Sequence, residues 1–164
     1  MFKVPYFDNA EMETIEAVED AGAAAALAAF VALTPADRLA DARHVFAYYK
    51  DYHQAVGGED WLDEQMGVPE TPADIWRHVT PGGEIAVEKG RKGDDNWYVV
   101  MEANCAWEEE HGLMLVWRNG TTLTKVGGYD GHLTNVNAYA DDSLVDVVYA
   151  ASDPTFTTRL GDVG

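Results

Sequence analysis

The chain has 164 residues, 47% of them hydrophobic, and a net charge of −18 from 29 acidic side chains against 11 Lys and Arg. That size and apolar content suit one folded core and exclude a disordered chain. The charge disfavours nucleic acid and anionic membrane surfaces, which are bound through basic groups, and favours a basic protein or a cation.

Chain order gives a helical front half. The spacing predicts a first helix over residues 9–33, capped by Asp8 or Asn9, with Glu11 and Glu13 at its N-terminus and a stripe of Ile15, Val18, Gly22, Ala25, Ala29 and Leu33. The apolar run over residues 21–33 is too short to span a bilayer, which takes roughly 20 residues. It also follows acidic residues rather than a basic segment, so neither a signal peptide nor an anchor is expected, and the expected address is the cytoplasm. Thr34-Pro35-Ala36-Asp37 reads as a fresh cap. The second helix follows with Leu39, Ala42, Phe46, Tyr49, His53 and Val56 on one face and a stop at Gly57-Gly58. These two helices are expected to form an antiparallel hairpin, with the cluster Tyr48, Tyr49, Tyr52 and His53 near its end read as core. A short helix over residues 59–66 and a second cap at Thr71-Pro72-Ala73-Asp74 complete the helical half, residues 1–80.

Beyond Pro81-Gly82-Gly83 the period changes to two. Residues 84–89 alternate Ile85 and Val87 with charges, and residues 90–95 make a polar turn. Trp97, Val99, Met101, Ala103, Cys105 and Trp107 fall on one strand face, which makes Trp97 and Trp107 core residues. Residues 113–118 form another strand, Asn119-Gly120 is a two-residue hairpin signal, and residues 121–126 return. The expected fold class is therefore α+β in one domain: an N-terminal helical hairpin with short helices, then an antiparallel meander of at least four strands over residues 84–150. Residues 141–149 fit either a short helix or an edge strand, and the tail after Ser152 is expected to fray.

Two loops carry the polar chemistry. Glu108, Glu109, Glu110 and His111 sit between two predicted strands, where a turn would expose carboxylates and an imidazole able to bind a divalent ion or move a proton. No His-Glu-x-x-His spacing or calcium-loop pattern accompanies them. In the second loop, Gly127 to Asn135, Asp130 and His132 offer mixed donors and acceptors. Strand parity can bring the loops to one end of the sheet, joining Glu110, His111, Asp130 and His132 into a composite site. No phosphate cradle or nucleophile elbow is present. The single cysteine, Cys105, excludes an intrachain disulfide and a cysteine-rich zinc site; lacking a basic neighbour, it reads as a small buried hydrophobe.

Cys105-x-Trp107-x-x-Glu110-His111-Gly112-Leu113, followed by Trp117, Gly120, Val126 and Asp130-Gly131-His132-Leu133-Thr134, resembles an uncharacterised family of small bacterial proteins with a C-x-W-x-x-E-H-G-L signature. The resemblance spans residues 97–149 and not the helical half. It implies a bacterial origin and, because some relatives look like members of toxin-immunity neighbourhoods, an immunity role by analogy. Three functional classes follow. The favoured one is a protein-binding module, in its immunity form masking a basic toxin or effector. The alternative is a metal-binding protein or metal-dependent enzyme with a divalent cofactor held by Glu110, His111, Asp130 and His132. The third is a structural protein whose acidity serves solubility.

Overall fold

The computed structural model describes residues 1–56 and 60–151. The expected helix stop at Gly57-Gly58 and the tail after Ser152 lie outside these residues.

The chain opens with strands rather than a helix. Phe2–Val4 (β1) pairs antiparallel with Ala10–Thr14 (β2), in the register Phe2↔Met12 and Val4↔Ala10. Val4 and Met12 are buried while Lys3, Glu11 and Glu13 face water, so this segment has period two. Asp8 and Asn9, read above as helix caps, instead adopt positive φ of 56° and 65°. These are residue types that tolerate left-handed backbone, and they turn the chain between the strands. The first helix starts only at Ala21. Asp20 caps it by accepting from the Gly22 and Ala23 N–H groups at 2.7 and 3.2 Å.

That helix, Ala21–Val31 (α1), meets Pro35–Ala55 (α2) at a bend of 93°, so no antiparallel hairpin forms. Its buried residues are Ala23, Ala26 and Phe30, whereas Ile15 of the expected stripe is 61% exposed. α1 lies on the strands Val79–Lys89 (β3) and Trp97–Cys105 (β4), so the sheet rather than α2 sets which helix face is covered. Thr34 and Asp37 form the expected capping box at the start of α2. From His44 to Tyr49 α2 is buried on all sides, which blurs its stripe. A short helix, Asp60–Met66 (α3), follows, and the Thr71–Asp74 box heads a 3-10 helix at Pro72–His78. No single helix among the described residues is long and apolar enough to cross a membrane.

Among the described residues the sheet has six strands in chain order. Val79–Lys89 (β3), Trp97–Cys105 (β4), Glu108–Arg118 (β5) and Thr122–Gly127 (β6) form the expected antiparallel meander. β2 joins β3 in parallel through Glu13↔Glu84 and Thr14↔Ile85, so the whole sheet is mixed. β3 begins earlier than its alternation suggests, because Pro81-Gly82-Gly83 sits in a bulge rather than a loop. One face of the sheet carries the main core, in which Ile85, Val99, Met101, Leu115 and Trp117 meet Phe30, Val45 and Tyr49. Trp107 is also buried there, against Tyr48 and Tyr49, while Trp97 packs half-buried at its rim. On the other face a smaller cluster gathers Tyr98, Val100, Met114 and Val116 beneath Leu133. After β6 the chain forms a short helix, Asn135–Tyr139 (α4). Residues 141–149 contain a 3-10 turn at Asp142–Leu144 and reach the sheet as a single bridge, Tyr149 beside Val126.

Candidate functional site

Glu108 to His111 do not form a connecting loop. The turn is Ala106-Trp107, and these four residues are the first of β5. Glu108 points inward and is buried, and its carboxylate accepts the N–H groups of Glu110 and His111 at 2.8 and 2.9 Å. The same carboxylate meets His111 Nδ1 at 2.9 Å, which orients that ring. Glu108 therefore braces the start of the strand. Gly112, at φ 60°, follows as a kink where a Cβ would press on the Ala103 carbonyl. Glu109 and Glu110 are exposed. The Cys105 thiol is buried, donates to the Glu108 carbonyl and is pushed up to about 12 by burial, so it is the inert hydrophobe its sequence position suggests.

The second loop does return to β5. Tyr129 N–H donates to the His111 carbonyl at 3.0 Å. Asp130 Oδ1 accepts both the Lys125 ammonium at 2.6 Å and the His132 N–H at 2.9 Å. The His132 ring contacts Arg91 Nη2 through Nδ1 at 3.3 Å. His111, Asp130 and His132 consequently line one cleft of about 620 Å³, while Glu109 and Glu110 stay outside it.

The composite metal site is not assembled. Among the described residues no group of three or more His, Cys, Asp or Glu side chains converges. Two of the four potential ligands already have partners of the wrong sign for a cation, and a third, His111, is turned onto the Glu108 carboxylate. An ammonium holds Asp130 and a guanidinium sits on His132.

What the cleft contains instead comes largely from α2 and the C-terminal segment. Tyr48, Asp51 and Tyr52 share one helix face at spacings of three and four, and Tyr129, Tyr139 and Tyr149 complete the wall. The Tyr48 hydroxyl donates to the Gly112 carbonyl at 3.1 Å, which ties α2 to the kink in β5. Burial raises the Tyr48 and Tyr149 phenols well above the ordinary tyrosine range, and the Asp51 carboxylate beside Tyr149 adds to this, so both stay protonated donors. Asp51 is only 2% exposed, and its carboxylate lies close enough to Tyr149 to raise that phenol. Lys125 is equally buried, and desolvation lowers its pKa while Asp130 pulls it back up. Three of the expected site residues thus reach the cleft, and sequence reading missed Lys125, Asp51 and the tyrosines. The spacing of Tyr48, Asp51 and Tyr52 was the available signal, but it reads equally well as core.

Residues 1–133 match the family model of a domain of unknown function, DUF6985, and the chain belongs to that family. The match includes the helical front half, which the signature around Cys105 to Leu113 did not reach, and it ends at Leu133 inside the second loop. No curated protein and no solved structure matches the chain.

Proposed function

We propose that this DUF6985 chain works as a single protein-binding module whose tyrosine-lined cleft receives an arginine or lysine side chain from a basic partner. The observation that supports this is the cleft's composition: five tyrosines line it together with Asp51 and Asp130, and one ammonium, Lys125, is already committed to Asp130. Aromatic faces attract cations, by roughly 0.5–2 kcal/mol each depending on exposure. Tyrosine also concentrates at the centres of protein interfaces. The net charge of −18 would steer a basic partner toward the molecule and away from nucleic acid and anionic lipid. Glu110, exposed on β5 next to His111 and near Tyr52, would act as its acidic rim. In its most specific form the partner is a basic bacterial toxin or effector in the cytoplasm, masked in the manner of an immunity protein; the support there is the resemblance carried by Cys105 to Leu113.

Calorimetric titration with an arginine-rich peptide and a glutamate-rich peptide of equal length tests the reading. The arginine peptide should bind and the glutamate peptide should not. Tyr129→Ala and Tyr52→Ala should each weaken binding about tenfold, which corresponds to roughly 1.4 kcal/mol. Undiminished affinity in both variants would mean that only diffuse surface charge is at work, and would overturn the cleft as the site.

A further inference from the structure

A second surface, away from the tyrosine cleft, has the geometry for adding a strand. β2 runs beside β3 only as far as Thr14↔Ile85, and the final bond between them is Ile15 N–H to the Ile85 carbonyl at 2.9 Å. β3 continues for four more residues, Ala86 to Lys89, which among the described residues pair only with β4.

The direction of the backbone groups on this stretch follows from parity. Gly90 N–H donates to the Asn96 carbonyl at 2.8 Å, so Gly90, Glu88 and Ala86 direct their backbone groups toward β4. Ile85, Val87 and Lys89 then direct theirs away from it, as the Ile15–Ile85 bond shows independently. Val87 and Lys89 accordingly present N–H and C=O groups along an open edge of about 13 Å, at ~3.3 Å per residue.

This edge borders a groove of about 480 Å³, formed as the segment after β2 swings away toward α1. Its apolar wall includes Val18, Ala23, Val87 and Trp97, and its carboxylates are Glu16, Glu19, Asp20 and Glu88. Asp20 is engaged in capping α1. Lys89, at the end of this edge, lies over the Trp97 ring at 5.3 Å and donates to the Asp95 carbonyl. The groove therefore keeps a negative balance next to unpaired strand backbone.

We propose that the β3 edge from Ala86 to Lys89 is a docking site for a short extended segment of a partner protein, one that alternates basic with apolar side chains and adds as a strand. Main-chain bonds to Val87 and Lys89 give affinity. Charge complementarity with Glu16, Glu19 and Glu88 selects a basic segment, and Val18, Ala23 and Trp97 receive its apolar side chains. This site is separate from the tyrosine cleft and stands or falls independently of it.

The probe is the peptide acetyl-Lys-Val-Lys-Val-Lys-amide, followed by amide hydrogen exchange and by nitrogen–proton NMR spectra of the full chain. Exchange at Val87 and Lys89 should slow at least tenfold with peptide, while Ala86 and Glu88, already bonded to β4, should change little. Val87→Pro removes the outward N–H without touching a β4 bond, and should abolish the protection. Should Val87→Pro fold poorly, the double variant Glu16→Lys/Glu19→Lys should weaken peptide binding at least tenfold and leave the edge backbone intact. Tyr129→Ala should leave protection at Val87 unchanged. Protection that survives both edge variants, or shifts confined to His111, Tyr129 and Tyr139, would overturn the proposal. So would slow exchange at Val87 that grows with protein concentration in the absence of peptide, because the occupant would then be a second copy.

Discussion

Removing the Asp130 carboxylate leaves the Lys125 ammonium, a charge that the fold buries beside the cleft, without its counter-ion. The Lys125 side chain is 2% exposed, its ammonium lies 2.6 Å from Asp130 Oδ1, and the Met114 sulfur at 3.9 Å is a far weaker partner. Breaking a buried pair by deleting one member costs about 3–5 kcal/mol, because the remaining charge stays desolvated. The Asp130 side chain is 36% exposed, so water can partly replace it, and we expect Asp130→Ala to cost about 2–3 kcal/mol. For a chain of this size that lowers Tm by about 4–12 °C. Lys125→Met keeps the length of the side chain and leaves Asp130 accessible to solvent, so it should remain within ~1 kcal/mol of wild type. The double variant should recover most of the Asp130→Ala loss.

The linkage carries a sign as well. The folded pKa of Lys125 lies below its ordinary value of 10.5, and losing Asp130 lowers it further. Between the two values the unfolded chain holds a proton that the folded chain sheds. Stability of Asp130→Ala should therefore rise more steeply than wild type as pH climbs from neutral toward 10.5. Circular dichroism melts and urea titrations across that range provide the measurement. A loss below ~0.5 kcal/mol in Asp130→Ala, or an equal loss in Lys125→Met, would refute the reasoning.

Three further outcomes concern buried groups and the contact of α1 with the hairpin. Burial raises Asp41, which accepts the Tyr6 hydroxyl at 2.9 Å, to about 6, and lowers His44 to about 4. Between pH 3.8 and 6 the folded chain holds the Asp41 proton that the unfolded chain has lost, so Asp41 favours folding on acidification; between pH 6.5 and 4 His44 does the reverse. Relative to wild type, Asp41→Asn should gain about 1–2 kcal/mol at pH 7 and lose that gain toward pH 4, while His44→Asn should gain on acidification; superimposable curves from pH 4 to 7 would contradict both. Gly120→Ala should cost about 3 kcal/mol or more, because φ is 72° and the new Cβ would overlap the Ala26 carbonyl of α1. A melting point within a few degrees of wild type would show that α1 does not approach the hairpin so closely.

The local chemistry of several elements was legible without coordinates. Alternation marked β4 and the later part of β3, Asn119-Gly120 marked the hairpin turn between β5 and β6, and Thr34 with Asp37 marked the start of α2, because each depends on residues adjacent in the chain. The same local reading mistook residues 9–20 for helix. Acidic residues after Asp8-Asn9 suit a helix N-terminus, yet Met12 between Glu11 and Glu13 also suits a strand. What decided for the strand was pairing with Phe2–Val4 on one side and with Glu84 and Ile85, 71 residues away, on the other.

The candidate site divides in the same way. The sequence by itself determined which residues could do polar chemistry, and it pointed to His111, Asp130 and His132, which one cleft does bring together. It could not determine what each of them faces. Glu108 turns inward because a strand, and not a turn, begins there, and Asp130 meets Lys125 because β6 and the loop after it fold back on each other. Side-chain direction along a strand reverses with a one-residue change in where the strand starts. Tertiary pairing sets that start, and so it alone made a tyrosine-lined cleft with a buried ion pair from loops that read as an open metal site.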